Sequence, residues 1–270
     1  MTSVKEAFLY AKEKLKKSTH PTRDAEDLLS HILQVKPLEI YTFFSKTLTS
    51  AEIDILKSYV KRRQEREPIE YILRTRTFLD CDLTITPDVL IPRQETELLA
   101  AHLIDCIQDE NKILWDVCTG SGCLGIALKK HLPSLKVTLS DISKKALSVA
   151  RLNAKKNRVQ VDLKWGDLLQ PFCGETFDYL ICNPPYVAKQ DPLPKDVLCF
   201  EPHLALFGGD DGLDFYRKLK TKIPKYAKRG SKIFFEIGTT QGNALLKLFP
   251  GGKIMPDLSS QDRFFSLEIE

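Results

Sequence analysis

The run Asn183-Pro184-Pro185-Tyr186 holds residue types that, in this order, can grip a planar NH2 group. It follows Phe177-Asp178-Tyr179-Leu180-Ile181-Cys182, an apolar stretch that reads as a buried strand. The two prolines stop that strand, carry no backbone N–H and stiffen the turn. The carboxyl end of a strand is where open α/β sheets bind their ligands. Asn183 brings a side-chain acceptor, its neighbours bring carbonyls, and Tyr186 brings a flat aromatic face. Two acceptors converging on one amide or amino group hold both its hydrogens and aim its nitrogen. An ordinary strand-ending turn uses the same residues, so a short motif needs further signals beside it.

A glycine loop is the first of these. Ile113-Leu114-Trp115-Asp116-Val117 reads as a buried strand and runs into Cys118-Thr119-Gly120-Ser121-Gly122-Cys123-Leu124-Gly125, then a helix. Gly120, Gly122 and Gly125 have the G-x-G-x-x-G spacing, which permits a tight turn and close approach of a ligand to the backbone. Asp141 ends the next strand about 20 residues on, where a carboxylate can accept from both hydroxyls of a ribose. Cys118, Thr119, Gly120, Ser121, Gly122 and Asp141 are therefore candidate cofactor-binding residues, with Asp167 and Leu168 bordering an adenine and Asn183 facing the same pocket. The competing reading has the glycines packing helix on strand and Asp141 capping the next helix. The fingerprint admits NAD as well as S-adenosyl-L-methionine. No His or Tyr/Lys arrangement for hydride transfer is evident, and the Asn-Pro-Pro-Tyr turn ends a strand expected beside the first, so S-adenosyl-L-methionine is favoured.

The elements that position these groups alternate. Strands are expected at 113–117, 136–141, 160–165, 177–182, 231–237 and 263–269, with helices at 94–108, 122–131, 143–156, 211–227 and 240–248. This predicts an α/β fold with a parallel sheet covered by helices. Phe264–Ile269 follows a β-like stretch with no room for a crossover helix, so the last strand is expected to be antiparallel. Upstream, Val4, Ala7, Phe8, Ala11 and Leu15, then Ala25, Leu28, Leu29, Ile32 and Leu33, follow the helical period. Thr22 is the expected N-cap of the second helix, and Thr49 with Glu52 that of another. Residues 75–92 read as a β-hairpin linker, which divides the chain into a helical domain (1–74), the linker and a second domain (93–270).

Composition excludes some classes. A net charge of +4 over 270 residues argues against strong nonspecific nucleic-acid binding. The local clusters Lys12, Lys14, Lys16, Lys17 and Lys61, Arg62, Arg63, Arg66 are read as solvated helix faces before RNA contacts. Seven cysteines without Cys-x-x-Cys or Cys/His spacing point to core thiols in a reducing compartment, not to a zinc site. With no signal-peptide core or membrane-length apolar segment, a cytoplasmic protein is expected, without membrane partners.

Further blocks lie along nearly the whole chain: Arg66-Glu67-Pro68-Ile69-Glu70-Tyr71-Ile72-Leu73, the P-R-x-E-T-E stretch within Leu90–Glu97, Phe200-Glu201-Pro202-His203-Leu204-Ala205-Leu206, Gly208-Gly209-Asp210-Asp211-Gly212-Leu213, Glu236-Ile237-Gly238 with Gln241, and Asp257-Leu258 followed by Asp262-Arg263. Together with Asn183–Tyr186 they resemble the HemK/PrmC family, the peptide chain release factor N5-glutamine methyltransferases. The resemblance implies a class I S-adenosylmethionine-dependent methyltransferase fold, Rossmann-like, with a seven-stranded sheet and antiparallel last strand, preceded by a five-helix-like domain and a β-hairpin. It implies S-adenosyl-L-methionine as donor, S-adenosyl-L-homocysteine as product, and as acceptor the glutamine of the Gly-Gly-Gln motif of class-1 release factors, with no nucleic acid required; a monomer is expected. Rival readings are an adenine N6-methyltransferase and a nonenzymatic module that keeps the cofactor as a structural ligand.

Three positions depart from the family pattern, where Arg74, Cys118 and Ser260 stand in place of glycine. Cys118 fits if its backbone does not require φ > 0. Catalysis is assigned to Asn183, Pro184, Pro185 and Tyr186, which also hold the substrate. The Asn183 oxygen and the Pro184 carbonyl accept the amide hydrogens, Pro185 stiffens the turn, and the Tyr186 ring, not its hydroxyl, packs on the amide. Arg93 is expected to tie the linker to the second domain.

Overall fold

Two capping boxes start the helices of the N-terminal part. Ser3 and Glu6 cap α1 (Val4–Lys14), and Thr49 and Glu52 cap α3 (Ser50–Gln64), each hydroxyl accepting from the backbone three residues on while the glutamate reaches back. Helix α2 (Pro21–Leu33) begins differently from expectation. His20, not Thr22, holds the cap position without a side-chain bond, because Pro21 fits the first helical residue with its fixed φ and missing N–H. A 3-10 segment (Pro37–Phe43) and α4 (Ile69–Leu73) complete the set, so four α-helices and one 3-10 turn stand where five helices were implied. The computed structural model describes residues 2–107 and 111–270.

The chain divides into two compact units, Met1–Thr75 with Pro194–Phe200, and Arg76–Leu193 with Glu201–Glu270. In the first, the periodic residues Val4, Ala7, Phe8, Ala11 and Leu15 meet Ala25, Leu28, Leu29, Leu56, Val60 and Ile72 in one core. Arg63 of α3 donates to buried Asp24 of α2 at 2.8 Å, and Arg62 pairs with Glu67, so two members of the second basic cluster serve internal pairs. The short helix α8 (Lys195–Phe200) belongs to this unit.

The second unit is built on seven strands: β3 (Ile113–Val117), β4 (Lys136–Asp141), β5 (Asp162–Trp165), β6 (Phe177–Cys182), β7 (Ala227–Glu236), β8 (Lys253–Pro256) and β9 (Asp262–Glu268). Their order is β5-β4-β3-β6-β7-β9-β8, with β3 to β7 parallel and β9 antiparallel to both β7 and β8. Of these, β8 was foreseen only as a β-like stretch. Helices α5 (Gln94–Cys106), α6 (Cys123–His131), α7 (Lys144–Lys156), α9 (Asp214–Lys222) and α10 (Gly242–Leu248) lie between the strands. The end expected for α5 at residue 108 falls outside the described residues. Helix α9 is shorter than expected, passing at Ile223 into a 3-10 turn that contains Pro224.

Alternate residues of the central strands, Trp115 and Val117, Leu180 and Cys182, Ile233 and Phe235, share one core with Tyr216 and Leu219 of α9 and Leu245 of α10. Trp115 stacks on Phe172 at 3.9 Å between ring centroids. The hairpin strands β1 (Thr75–Phe78) and β2 (Cys81–Thr84) form their own two-stranded ladder. Asn153 of α7 and Asn157, the residue that caps its carboxyl end, pair with the backbone of Thr84 and Asp82, each through both its amide oxygen and its NH2, at 2.7–3.1 Å, and so satisfy an open strand edge. Among the described residues, no helix is long and apolar enough to cross a membrane.

Candidate active site

The strand order puts the carboxyl ends of β4, β3 and β6 side by side, and the loops leaving them enclose a cavity of about 370 Å³. It is lined on one side by Cys118, Thr119, Gly120 and Ser121 after β3 and by Asp141 after β4. Asp167 and Leu168 follow β5, and Asn183 and Pro185 follow β6. Gly122, Pro184 and Tyr186 do not line it. A Cβ on Gly122 would stand 2.7 Å from Ile126 Cδ1, so this glycine (φ +83) lets α6 start close against its neighbours. Gly120, at φ +55, has nothing within 4 Å of the same construction, so its backbone faces open space.

The loop is held from beneath by two acids. Asp141 accepts the Gly120 N–H at 2.9 Å and the Ser143 N–H at 2.8 Å. Asp116, inside β3 and 1% exposed, accepts the Thr119 hydroxyl at 2.6 Å and the Gly125 N–H at 3.0 Å. Burial pushes the Asp116 carboxyl up to about 7 against those two bonds, and burial raises Asp141 against its own backbone bonds. Asn153 Nδ2 also reaches the Ser121 carbonyl at 2.9 Å, joining the loop to α7 and the hairpin. Ser140 Oγ, in the cavity wall, is buried without a partner among the described residues.

Cys118 adopts φ +59, so the condition for fitting a side chain there without strain is not met. Arg74 (φ 56) and Ser260 (φ 59) share this conformation. All three departures from glycine thus fall where the backbone is left-handed, the region in which a Cβ is costly. The Cys118 thiol lies against that of Cys182, whose pKa rises through burial first and that hydrogen bond second.

The Asn-Pro-Pro-Tyr turn is braced by the blocks that accompany it in sequence. Gly208 and Gly212 pack on its carbonyls, since a Cβ would come within 2.4 Å of Pro185 O and 2.2 Å of Tyr186 O respectively. Gln241 Nε2 donates to Tyr186 O at 2.9 Å, while its Oε1 accepts from the Gly238 N–H at 2.9 Å. Among the described residues no donor reaches the Pro184 carbonyl. The Tyr186 hydroxyl is engaged within the protein: it donates to Glu236 Oε1 at 3.2 Å. Glu236 also accepts from Thr96 Oγ1 at 2.7 Å, and Asn183 Nδ2 lies 3.4 Å from that same oxygen. Burial raises the Glu236 carboxyl and the Tyr186 phenol, the former opposed by its two hydroxyl donors and by the Arg263 charge. Arg93 pairs with Glu201, which also accepts the Ile91 N–H at 3.1 Å, so Arg93 ties the segment before α5 to the block after α8.

Sequence reading quotes Asp116, Thr96 and Glu236 within its runs and blocks but gives none of them a role of its own. The signal was available in the acids, because a carboxylate inside the apolar runs Ile113–Val117 and Ile233–Ile237 is costly to bury without a task.

Comparison with known proteins gives a consistent picture. Residues 6–73 match the PrmC N-terminal domain, and residues 94–197 match the Methyltransferase small domain. The release factor glutamine methyltransferase of Chlamydia trachomatis serovar D is 40% identical over 256 residues, covering 92% of this chain and 87% of its own. That of Geobacter sulfurreducens is 35% identical over 241 residues, covering 88% and 84%. Among solved structures, a T. thermophilus 16S rRNA N2 methyltransferase in complex with AdoMet and guanosine superposes with a TM-score of 0.56 at 13% identity, over 73% of this chain and 50% of that one. That likeness is one of fold, the class I methyltransferase sheet.

Proposed function

Because this chain belongs to the release factor glutamine methyltransferase family, we propose that it transfers a methyl group from S-adenosyl-L-methionine to the side-chain amide nitrogen of the glutamine in the Gly-Gly-Gln motif of class-1 peptide chain release factors. The observation that carries the reading is that Asn183 shares one cavity with the glycine loop and Asp141. The donor fits this cradle in three respects: open space over the Gly120 backbone, a carboxylate at the end of β4 for ribose hydroxyls, and an unpartnered Ser140 hydroxyl in the wall. Cys118, Thr119, Gly120 and Ser121 hold it from the loop, Gly122 sets the loop's geometry, and Asp167 and Leu168 border the adenine.

When bound, the donor supplies an electrophilic sulfonium methyl group and leaves as S-adenosyl-L-homocysteine. An amide nitrogen is a poor nucleophile, because its lone pair is delocalised into the carbonyl. The protein's work is therefore positioning and electrostatics. Asn183 Oδ1 and the Pro184 carbonyl accept the two amide hydrogens and turn the nitrogen toward the methyl. They also stabilise positive charge developing on nitrogen, an interaction that strengthens in the transition state. Pro185 stiffens the turn and Tyr186 packs beside the amide. The nitrogen becomes acidic once alkylated and loses its proton to water. We assign release factor recognition to the helical domain (1–74), place the hairpin segment 75–92 between it and the catalytic domain (93–270), and place the reaction in the cytoplasm, by a monomer and without nucleic acid.

The test is methyl transfer from labelled donor to intact release factor, DNA and RNA in parallel, with the modified residue located by mass spectrometry. Label on the Gly-Gly-Gln glutamine alone is expected. Transfer to nucleic acid instead overturns the assignment.

A further inference from the structure

Glu236 is 1% exposed at the end of β7, yet each of its carboxylate oxygens receives a hydroxyl from a different element. Thr96, in the first turn of α5 and 2% exposed, gives its hydrogen to Oε2 at 2.7 Å. Tyr186 gives its own to Oε1 at 3.2 Å. A threonine hydroxyl has one hydrogen. With that hydrogen on Glu236, Thr96 can only accept on its other side, where Asn183 Nδ2 lies at 3.4 Å. The carboxamide of Asn183 is thereby oriented: its NH2 faces Thr96 and its Oδ1 faces away from it.

We propose that Glu236 and Thr96 are positioning residues, a relay in which Glu236 fixes the Thr96 hydroxyl, Thr96 fixes the face of the Asn183 carboxamide, and Glu236 directly anchors the Tyr186 ring. This deepens the proposed function and rests on Asn183 Oδ1 as the acceptor of the substrate amide. The consequence of losing the relay follows from donor counting. Were Thr96 free to rotate, it could donate to Asn183 Oδ1 and turn the carboxamide over. Asn183 would then present NH2 to the NH2 of its substrate, a donor facing a donor. An ionised carboxylate accepts on both oxygens and donates nothing, so it can impose one direction on both hydroxyls. A glutamine there accepts on one side only. Tyr186 is held at its other end as well, through Gln241 on its carbonyl, so both ends of the residue are fixed.

The test is steady-state methylation of intact release factor, with donor affinity measured by calorimetry, for the wild type, Thr96→Val, Thr96→Ser and Glu236→Gln. Thr96→Val keeps the shape and removes the hydroxyl; kcat should fall about 10- to 100-fold, the scale of a misplaced reacting group, while donor Kd and release factor KM move less than about threefold. Thr96→Ser restores the hydroxyl and should restore most of kcat. Glu236→Gln should fall between and serves as the isosteric probe should Thr96→Val not fold. Wild-type turnover in Thr96→Val, or a Thr96→Ser loss as deep as that of Val, overturns the relay. A folded, donor-binding wild type that leaves release factor unmethylated overturns the substrate reading instead, so the two failures are distinct.

Discussion

The carboxylate of Asp141 and the amide of Gly120 are joined by a hydrogen bond of 2.9 Å, although they leave different strands. The other oxygen of Asp141 is held by the Ser143 amide at 2.8 Å. The Ile142 amide is a further backbone partner, so the position of the carboxylate is fixed by backbone. This is the arrangement needed to receive two ribose hydroxyls without reorganisation.

The first prediction concerns this residue. Asp141→Ala removes two charge-assisted acceptors, worth roughly 1.5–3 kcal/mol each in favourable cases. Binding of S-adenosyl-L-methionine should weaken at least about tenfold with the fold retained. Calorimetric titration is the check, and unchanged affinity would remove Asp141 from the cofactor site.

The second concerns the turn after β6. Asn183→Ala should lower single-turnover methylation at saturating donor by about 10²–10³, the usual effect of deleting one transition-state hydrogen bond. Asn183→Asp keeps an acceptor but brings no NH2 to Thr96, so it should fall between Asn and Ala. Tyr186→Ala should lose most activity. Tyr186→Phe keeps the ring and gives up the bond to the Glu236 carboxylate, a loss of about tenfold, the low end for a hydrogen bond to a charged group. Near-normal turnover in Asn183→Ala would defeat the mechanism.

Much of the architecture was legible because its signals are local. Strands β3, β4 and β6 have the limits read from their apolar runs, and the glycine loop announces itself within eight residues, Cys118–Gly125. Strand β8 was barely visible, since Lys253-Ile254-Met255-Pro256 offers only four residues, one of them a proline. The bracing of the turn was less accessible for a different reason. Thr96 and Glu236 are 140 residues apart, and Thr96 and Asn183 are 87 apart, so no spacing rule connects them. The left-handed conformation of Cys118 was hidden as well, because cysteine gives no sign of φ > 0 as glycine does.

The third prediction uses the glycines behind the turn. Gly212→Ala places a Cβ 2.2 Å from Tyr186 O and 2.6 Å from Gln241 Nε2, at φ +75. Both turnover and thermal stability should drop. Gly174→Ala is the control, with φ +79 and nothing within 4 Å of the added Cβ. It should show only the conformational penalty, about 1 kcal/mol, and full turnover. Equal effects would mean that contact with the turn is unimportant.

The fourth concerns the departures from glycine. Arg74 and Ser260 are exposed and left-handed, so Arg74→Gly and Ser260→Gly should each relieve strain of order 1 kcal/mol, partly offset by the greater freedom of glycine when unfolded. Small additive gains in the urea midpoint are expected. A loss at either position would show that its side chain makes a contact outweighing the strain.

The last prediction is a pH dependence carried by Asp116. Its carboxyl sits near 3.9 in an unfolded chain and is pushed up to about 7 by burial in β3. Between those values the folded protein holds a proton that the unfolded chain has released. Stability therefore falls as pH rises through this window, since the slope follows the difference in bound protons between unfolded and native states. Asp211, its carboxyl lowered to about 2 by the hydrogen bond from Arg217, acts oppositely but only below about pH 4, whereas Asp27, raised to about 6 by burial, shares the window of Asp116. The contribution of Asp116 must then be read as a difference between two proteins. Asp116→Asn keeps an oxygen for the Thr119 hydroxyl and the Gly125 N–H but is neutral throughout. The mutant should gain on the wild type by an amount on the order of a few kcal/mol between pH 5 and pH 8, most of it below about pH 7. Urea denaturation of both proteins across that range is the measurement. A stability difference that does not change with pH would mean that Asp116 keeps an ordinary carboxylate pKa in the folded protein, stabilised as an anion by the loop it holds.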